Sequence, residues 1–262
     1  MGPGFGRGPM AEGWRALRGL FSGFEEQMMN RTGWAGGLCV VVIAACLGAD
    51  GPSTPAKDQK KAQAQDAKIV LFDGKTLDGW KKADFYHSGA VKVEDGSIVL
   101  VKSDSMTGVT CTRKDLPKSD YELTYEAMRV DGDDFFAAAT MPVCESFITF
   151  VNGGWGGNIS GLSSLDGADA SENETTANIT FKNKTWYKYR VRVTAEVIRC
   201  WVDDKAVVEV KIKDRQVGTR LEVRANQPLG FATWETGGAI RKVEIRRLSP
   251  AEVVENGKTD KP

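Results

Sequence analysis

Alternation of apolar and polar side chains between Trp186 and Val202 is the feature that most constrains the fold of this chain. Apolar side chains occupy every second position from Tyr187 to Val193, with lysine and arginine between them. Successive side chains of a β-strand point to opposite faces, so this pattern predicts strands with one buried and one wet face. A turn at Asp203-Asp204-Lys205 then leads into another alternating run.

Four further segments show the same alternation: 91–101, 121–127, 229–234 and 240–248. The first contains Asp95-Gly96 at its centre, and an Asp-Gly pair between two such runs is a hairpin signal. No core segment sustains an amphipathic helical period. With 29 glycines and 7 tryptophans, the sequence predicts an all-β fold, a jelly-roll β-sandwich of two antiparallel sheets.

The charge balance argues against nucleic acid as a partner. The chain has 35 lysines and arginines against 35 acidic residues, so it lacks the net positive charge that nucleic-acid binders use to attract phosphates. The chain has one histidine, His87, and every Ser-His-Asp or Cys-His mechanism would depend on it. We expect a solvated or structural His87 beside Tyr86, and carboxylate chemistry if the protein is an enzyme.

The N-terminal region, residues 1–46, is typical of an export signal. Residues 34–45 form an apolar run that is short for a membrane span and suited to the apolar part of a signal peptide. The run ends Ile-Ala-Ala before Cys46, which resembles a lipobox, so we predict lipidation of Cys46 and a periplasmic or cell-surface protein that contacts the membrane only through this anchor. A plain secretory signal cleaved near Ala45 or Ala49 is the alternative, and translation could begin at Met28 or Met29.

The composition divides the remainder into three parts. Residues 47–67 are rich in Lys, Gln, Ala and Asp and predict a polar linker. Residues 250–262 are read as a polar tail. The folded domain is therefore expected at 68–249, within the usual size of one domain.

Several segments resemble the bacterial DUF1080 family of 3-keto-disaccharide hydrolase domains. The opening, 71–80, reads LFDGKTLDGW, and it is supported by 93–96, 120–123, 186–203 and 228–246. The resemblance covers essentially the whole core. It implies a concanavalin A-like jelly roll that acts on glycosidic bonds of sugars oxidised at carbon 3.

Two central motifs of that family differ in this chain. An Asn-Ser-Gly segment ending in Arg corresponds to Phe135–Pro142, and a Glu-x-Gln-x-x-Asp motif corresponds to Gly161–Asp166. The family resemblance therefore supports one acidic position, Asp166.

Aromatic and amide side chains in a glycine-rich segment suggest a sugar site. Sugars bind through aromatic faces packed on their C–H surfaces and planar polar groups at their hydroxyls. The segment 151–158 offers Trp155, Asn152 and Asn158, and Trp234 is a second aromatic candidate. The alternative is a tight bulge with Trp155 in the core. We expect a saccharide ligand.

Glycosidic hydrolysis normally requires two carboxyl groups, and we predict Glu145 and Asp166 as that pair. The remaining candidates, Asp169, Glu172 and Glu174, are expected to be solvated. A 3-keto sugar also permits elimination, because the ketone acidifies the neighbouring C–H. One base would then suffice, with a cation or an arginine of the kind at Arg190 stabilising the enolate.

No cofactor or metal ligand is assigned with certainty. The acidic loop 166–174 is rich in oxygen ligands and could hold Ca²⁺, but it lacks EF-hand spacing, and a solvated loop is the alternative. For the whole protein, the alternative to a glycoside-cleaving enzyme is a non-catalytic carbohydrate-binding or cell-surface interaction module.

Overall fold

The computed structural model describes residues 68–258, which form two antiparallel β-sheets. The predicted signal region with Cys46 and the predicted linker lie outside the described residues. One sheet contains β1 (Ile69–Val70), β3 (Val91–Glu94), β4 (Ser97–Leu100), β6 (Tyr121–Asp131), β11 (Trp186–Val193), β12 (Val197–Val202), β13 (Lys205–Lys211) and β15 (Gly237–Arg247). The other contains β2 (Trp80–Lys82), β5 (Met106–Cys111), β7 (Ala138–Val143), β8 (Ser146–Gly154), β9 (Ile159–Ser163), β10 (Ala177–Asn178) and β14 (Gly230–Trp234).

The strand order shows how the chain crosses between the sheets. The eight-stranded sheet runs β13-β12-β11-β6-β15-β4-β3, with β1 paired to β15, and the seven-stranded sheet runs β10-β9-β8-β7-β14-β5-β2. Some neighbours are far apart in sequence, such as β6 beside β15, where Tyr121 pairs with Arg247. The predicted all-β sandwich of two antiparallel sheets is confirmed.

Interlocking aromatic rings fill the space between the sheets. Tyr125 and Tyr189 stack with their centroids 4.8 Å apart, and Phe231 meets Tyr125 edge-on at 4.9 Å. All three side chains are almost fully buried. Such offset and edge contacts add to the free energy gained by burying the rings.

The predicted strands follow the alternation. In β6, the side chains of Tyr121, Leu123 and Tyr125 are buried in the core. The predicted hairpin at 91–101 forms β3 and β4, with Asp95 at φ 47° and Gly96 at φ 72° in its turn. Both residues of a type I′ turn need positive φ, which is why Asp-Gly is favoured there.

The face of the seven-stranded sheet turned away from the core carries mostly small side chains. On β14, Phe231 points into the core, so Gly230 and Ala232 point outwards. Their strand neighbours on the same face are Thr140, Ala138 and Gly108. Because few atoms rise above the backbone here, other segments of the chain can pack closely on this face.

The segment after residue 249 corrects the prediction of a polar tail. Residues Pro250–Gly257 form a helix, α1, capped by Ser249. The Ser249 hydroxyl accepts a hydrogen bond from the Glu252 amide, and the Glu252 carboxylate accepts one from the Ser249 amide. This reciprocal pattern, Ser-x-x-Glu, is visible in the sequence and is a known helix start. Among residues 68–258, no helix has the length and apolarity needed to cross a membrane.

Helix α1 is held to the eight-stranded sheet by an ion pair that should make stability depend on pH. Arg246 donates two hydrogen bonds to Glu252, at 2.7 and 3.0 Å, and lowers the pKa of Glu252 from 4.5 to about 2. A carboxylate with a lowered pKa stabilises the fold above its unfolded pKa, and the contribution is lost as pH falls.

We expect Glu252→Gln to lower the free energy of unfolding by about 2 kcal/mol at pH 7, after allowance for solvent screening. The difference from wild type should shrink between pH 4.5 and about 2, where wild type loses the same ion pair. Urea denaturation across this range measures it. Glu255→Gln, exposed on the same helix, is the control, and a pH-independent difference for Glu252→Gln would contradict the ion-pair explanation.

Candidate functional site

A cleft of about 300 Å³ lies on the outer face of the seven-stranded sheet. Its lining is mostly apolar and aromatic, with a few polar groups, as is usual for small-molecule sites. The lining side chains are Met106, Asp134, Phe135, Thr149, Val151, Trp155, Ser163, Arg220, Glu222, Val223 and Trp234.

One wall of the cleft is aromatic and comes from one end of the sheet. Trp155 follows the last residue of β8, and Trp234 is the last residue of β14. They are 44% and 39% exposed, so their ring faces are open to a ligand. Phe135, just before β7, lies between them, and its carbonyl accepts a hydrogen bond from the Trp234 amide at 3.1 Å.

The glycine-rich turn after β8 places Trp155 in this wall. Trp155 has φ 50°, a conformation disfavoured for a bulky residue. Gly157 allows the turn to pack against the preceding loop, because a Cβ there would lie 2.4 Å from the Asp133 carbonyl oxygen. Asp134 ties the two loops together, since its carboxylate accepts hydrogen bonds from the amides of Phe135 at 2.7 Å and Gly156 at 3.1 Å.

The opposite wall is charged and is carried by a 3-10 helix, Leu221–Asn226. Arg220 donates from Nη2 to Glu222 at 2.9 Å and also pairs with Asp169. The Asp169 carboxylate accepts a further hydrogen bond from the Ser163 hydroxyl at 3.0 Å. Ser163, Arg220 and Glu222 all line the cleft.

Buried hydrogen bonds fix the 3-10 helix on the sheet. The side-chain amide of Asn226 donates hydrogen bonds to the carbonyls of Val109 and Phe231, at 2.8 and 3.0 Å. The Thr110 hydroxyl donates one to the Ala225 carbonyl at 2.7 Å. Gly230 makes room for this approach, because a Cβ there would lie 2.4 Å from the Asn226 amide nitrogen. The position of Glu222 therefore depends on strands β5 and β14.

The electrostatics keep Glu222 ionised. The hydrogen bond from Arg220 lowers the pKa of Glu222 below its ordinary value, and the same bond raises the pKa of Arg220. The Glu222 side chain is 53% exposed, so its remaining oxygen lone pairs can reach a ligand. The carboxylate of Asp134, by contrast, is bound by two backbone amides.

Two of the predicted binding residues line the cleft and two do not. Trp155 and Trp234 face it from the same wall. Asn152 is fully buried, and its amide donates to the Phe150 carbonyl at 3.4 Å. Asn158 is exposed and is not among the lining residues.

The predicted catalytic pair is not brought together in the cleft. Glu145 precedes β8 and Trp155 follows it, so they lie at opposite ends of a nine-residue strand, about 30 Å apart at the usual rise per residue. The Glu145 side chain is 87% exposed and pairs with Lys118 at 2.7 Å. Asp166 lies beyond β9 and accepts hydrogen bonds from the Arg215 side chain and the Gln216 amide, both at 2.8 Å.

The arginine suggested by sequence also lies elsewhere. Arg190 is on the outer face of the other sheet, with its guanidinium 4.1 Å from the centre of the Trp201 ring. It cannot reach a ligand on the seven-stranded sheet, because the core separates the two faces. Arg220 is the arginine that lines the cleft.

The carboxylates of the acidic loop 166–174 are paired with arginines. Asp166 and Glu174 both pair with Arg215, and Asp169 pairs with Arg220. A cation would have to displace these arginines from the same oxygens. Within residues 68–258, no group of three or more His, Cys, Asp or Glu side chains is placed to hold a metal ion.

Sequence reasoning missed Arg220 and Glu222. They lie in the segment 213–227, which has no strand period and contains several charged residues. The only local signal is the spacing of Arg220 and Glu222 around a leucine, and such pairs are common on protein surfaces. Their role depends on packing against β5 and β14.

Residues 67–246 match the model of the 3-keto-alpha-glucoside-1,2-lyase-like domain. This match covers more than half of the chain, so the chain belongs to this family, and the resemblance to 3-keto-disaccharide hydrolase domains is confirmed. No curated protein matches the sequence.

Solved structures with a similar fold come from several bacteria. A putative glycosyl hydrolase from Parabacteroides distasonis is 12% identical, with a TM-score of 0.45, covering 73% of this chain and 97% of that one. The carbohydrate-binding module CBM66 from Bacillus subtilis is 11% identical, with a TM-score of 0.44, covering 64% and 95%. Domain 4 of the arabinanase AbnA from Geobacillus stearothermophilus, in complex with arabinotriose, is 14% identical, with a TM-score of 0.44, covering 68% and 88%. At these identities the likeness concerns the fold alone.

Proposed function

We propose that the cleft cleaves glycosidic bonds of 3-keto-glycosides by elimination, with Glu222 as the base and Arg220 as the enolate-stabilising group. One observation carries this proposal: a carboxylate and a guanidinium lie together on the cleft wall opposite two exposed tryptophans. A single base suffices for elimination, and Glu222 is the lining carboxylate whose partner is a side chain, Arg220, whereas Asp134 ties two loops together through the amides of Phe135 and Gly156.

The reaction assigns one task to each group. Glu222 removes the proton at carbon 2, which the ketone at carbon 3 makes acidic. The electron pair forms an enolate, and Arg220 stabilises its negative oxygen. The bond from carbon 1 to the glycosidic oxygen then breaks, the leaving oxygen takes the proton back from Glu222, and an unsaturated ketone remains.

Asp169 and Ser163 hold the arginine in position. Asp169 accepts a hydrogen bond from the Ser163 hydroxyl and pairs with Arg220, so the guanidinium is held from both sides. Trp155 and Trp234 supply ring faces for the apolar side of a sugar. These contacts support a saccharide as the ligand.

A non-catalytic carbohydrate-binding module is the second candidate. Both carboxylates that line the cleft already accept hydrogen bonds, Asp134 from backbone amides and Glu222 from Arg220, and this favours a module that only binds. A binding module requires only the exposed aromatic side chains and the polar groups beside them.

Cleavage of 3-keto-trehalose carrying deuterium at carbon 2 separates these functions. We expect the full-length protein to release glucose, to lose the deuterium to solvent, and to react more slowly with the labelled than with the unlabelled sugar. Glu145→Gln is the control and should keep the wild-type rate. Release with the deuterium retained would indicate hydrolysis instead, and saturable binding without release would indicate a binding module.

We also propose that the protein is exported and lipid-anchored at Cys46. The lipobox-like sequence before Cys46 supports this, and a periplasmic or cell-surface location would give the cleft access to external glycosides. Metabolic labelling with a tagged fatty acid, compared between wild type and Cys46→Ser, tests it. Equal labelling of both proteins would contradict the anchor.

A further inference from the structure

The exposed aromatic side chains of residues 68–258 gather around the cleft. Tyr86, Trp155 and Trp234 are the Tyr, Trp and Phe residues with the most exposed side chains in this part of the chain, at 80%, 44% and 39%. Trp155 and Trp234 line the cleft. Tyr86 lies outside it, on the loop that follows β2, the edge strand of the same sheet.

The loop after β2 is firmly attached beside the cleft. Phe85 packs against Met106, Val223 and Ala232, and the first two of these side chains line the cleft. The Gly89 amide donates to the Thr107 hydroxyl at 3.0 Å, and the Lys82 ammonium donates to the Ser88 carbonyl at 3.0 Å. Tyr86 is therefore presented to solvent by a fixed loop.

The ring of Tyr86 is also held in orientation. It stacks on His87 with the ring centroids 3.9 Å apart and the planes 19° from parallel. His87 adopts φ 50°, which is uncommon for a residue other than glycine. An exposed aromatic pair kept in place at a conformational cost is an arrangement found at binding sites.

Strand order places these side chains in one row. Neighbouring strands of this sheet are antiparallel. One end of the sheet therefore carries, in order, the end of β8, the start of β7, the end of β14, the start of β5 and the end of β2. The residues at or beside these five strand ends are, in the same order, Trp155, Phe135, Trp234, Met106, and Phe85 with Tyr86. Across four strand spacings the row extends about 19 Å, which is longer than one sugar ring.

We propose that this row binds an oligosaccharide whose terminal unit occupies the cleft, with Tyr86 stacking on a sugar unit beyond it. The inference rests on the proposed function, because it places a sugar in the cleft. The row is continuous with the cleft, and its aromatic faces suit the C–H faces of successive sugars. The substrate class is then an oligosaccharide end rather than a free disaccharide.

Tryptophan fluorescence of the full-length protein, titrated with maltose and with maltotetraose, tests the proposal. Neither glucan carries a ketone, so neither is cleaved by elimination. We expect maltotetraose to bind about fivefold tighter than maltose, as one extra aromatic contact implies. Tyr86→Ala should reduce this ratio below about twofold without changing the affinity for maltose, whereas Tyr86→Phe, which keeps the ring, should retain the wild-type ratio.

Each contrary result overturns the inference and leaves the proposed reaction to its own test with 3-keto-trehalose. Equal affinities of wild type for the two glucans would overturn it, as would equal weakening of both by Tyr86→Ala, or binding of neither. A dimer seen in sedimentation and dissociated by Tyr86→Ala would assign the row to a second copy of the chain.

Discussion

Glu222→Gln is expected to lower kcat for 3-keto-trehalose by about 10²- to 10⁴-fold, the usual contribution of a general base. Glutamine keeps the size of the side chain and can still contact Arg220, so the cleft should retain its shape. What is lost is the negative charge that makes a carboxylate oxygen basic enough to accept the proton from carbon 2. Steady-state release of glucose measures the effect.

The pH dependence and a neighbouring carboxylate provide the controls for this prediction. Arg220 lowers the pKa of Glu222, so the base stays ionised as pH falls, and wild-type activity should decline only below the ordinary value of 4.5. Glu235→Gln alters an exposed carboxylate next to Trp234 that does not line the cleft, and it should leave kcat unchanged. A Glu222→Gln variant within twofold of wild type would assign the base to another group.

Phe231→Ala is expected to lower the free energy of unfolding by about 3–5 kcal/mol. Phe231 is fully buried beneath the cleft and packs against Tyr125 at 4.9 Å and Trp80 at 5.9 Å between ring centroids. Truncation leaves a cavity that these rings cannot fill. Urea denaturation at pH 7 measures the loss.

A conservative variant shows whether the lost volume is the cause. Phe231→Leu keeps most of the buried volume, so it should lower the free energy of unfolding clearly less than Phe231→Ala does. If the two variants were equally destabilised, ring stacking rather than the cavity would explain the effect. A loss below about 1 kcal/mol for Phe231→Ala would mean that the core repacks around the site.

The strands were predictable because their signal is local. Alternation in 186–202 and the Asp95-Gly96 turn depend only on neighbouring residues, and both predictions are confirmed. Helix α1 was missed although its capping pattern from Ser249 to Glu252 is equally local, because the segment is polar and its ion pair with Arg246, on the preceding strand β15, leaves no periodic pattern in the sequence.

The site was only partly predictable, for a different reason. Trp155 and Trp234 could be selected because aromatic residues beside glycine turns lie at strand ends. Glu145 was predicted as one of the two catalytic carboxylates, but the length of β8 separates it from Trp155. Glu222 could not be found, because its place in the cleft is set by Asn226, whose side chain bonds to Val109 on β5, more than a hundred residues away along the chain.

The small residues on the outer face of the seven-stranded sheet set a limit on how the protein can change. A Cβ at Gly108 would lie 2.5 Å from the Phe85 ring, and one at Gly230 would lie 2.4 Å from the side-chain amide of Asn226. A larger residue at either position would therefore displace the segment packed above it. New ligand shapes would have to be accommodated at the rim, in the loops that carry Trp155, Glu222 and Tyr86, so that the evolution of specificity in this protein is confined to its loops while the sheet stays constant.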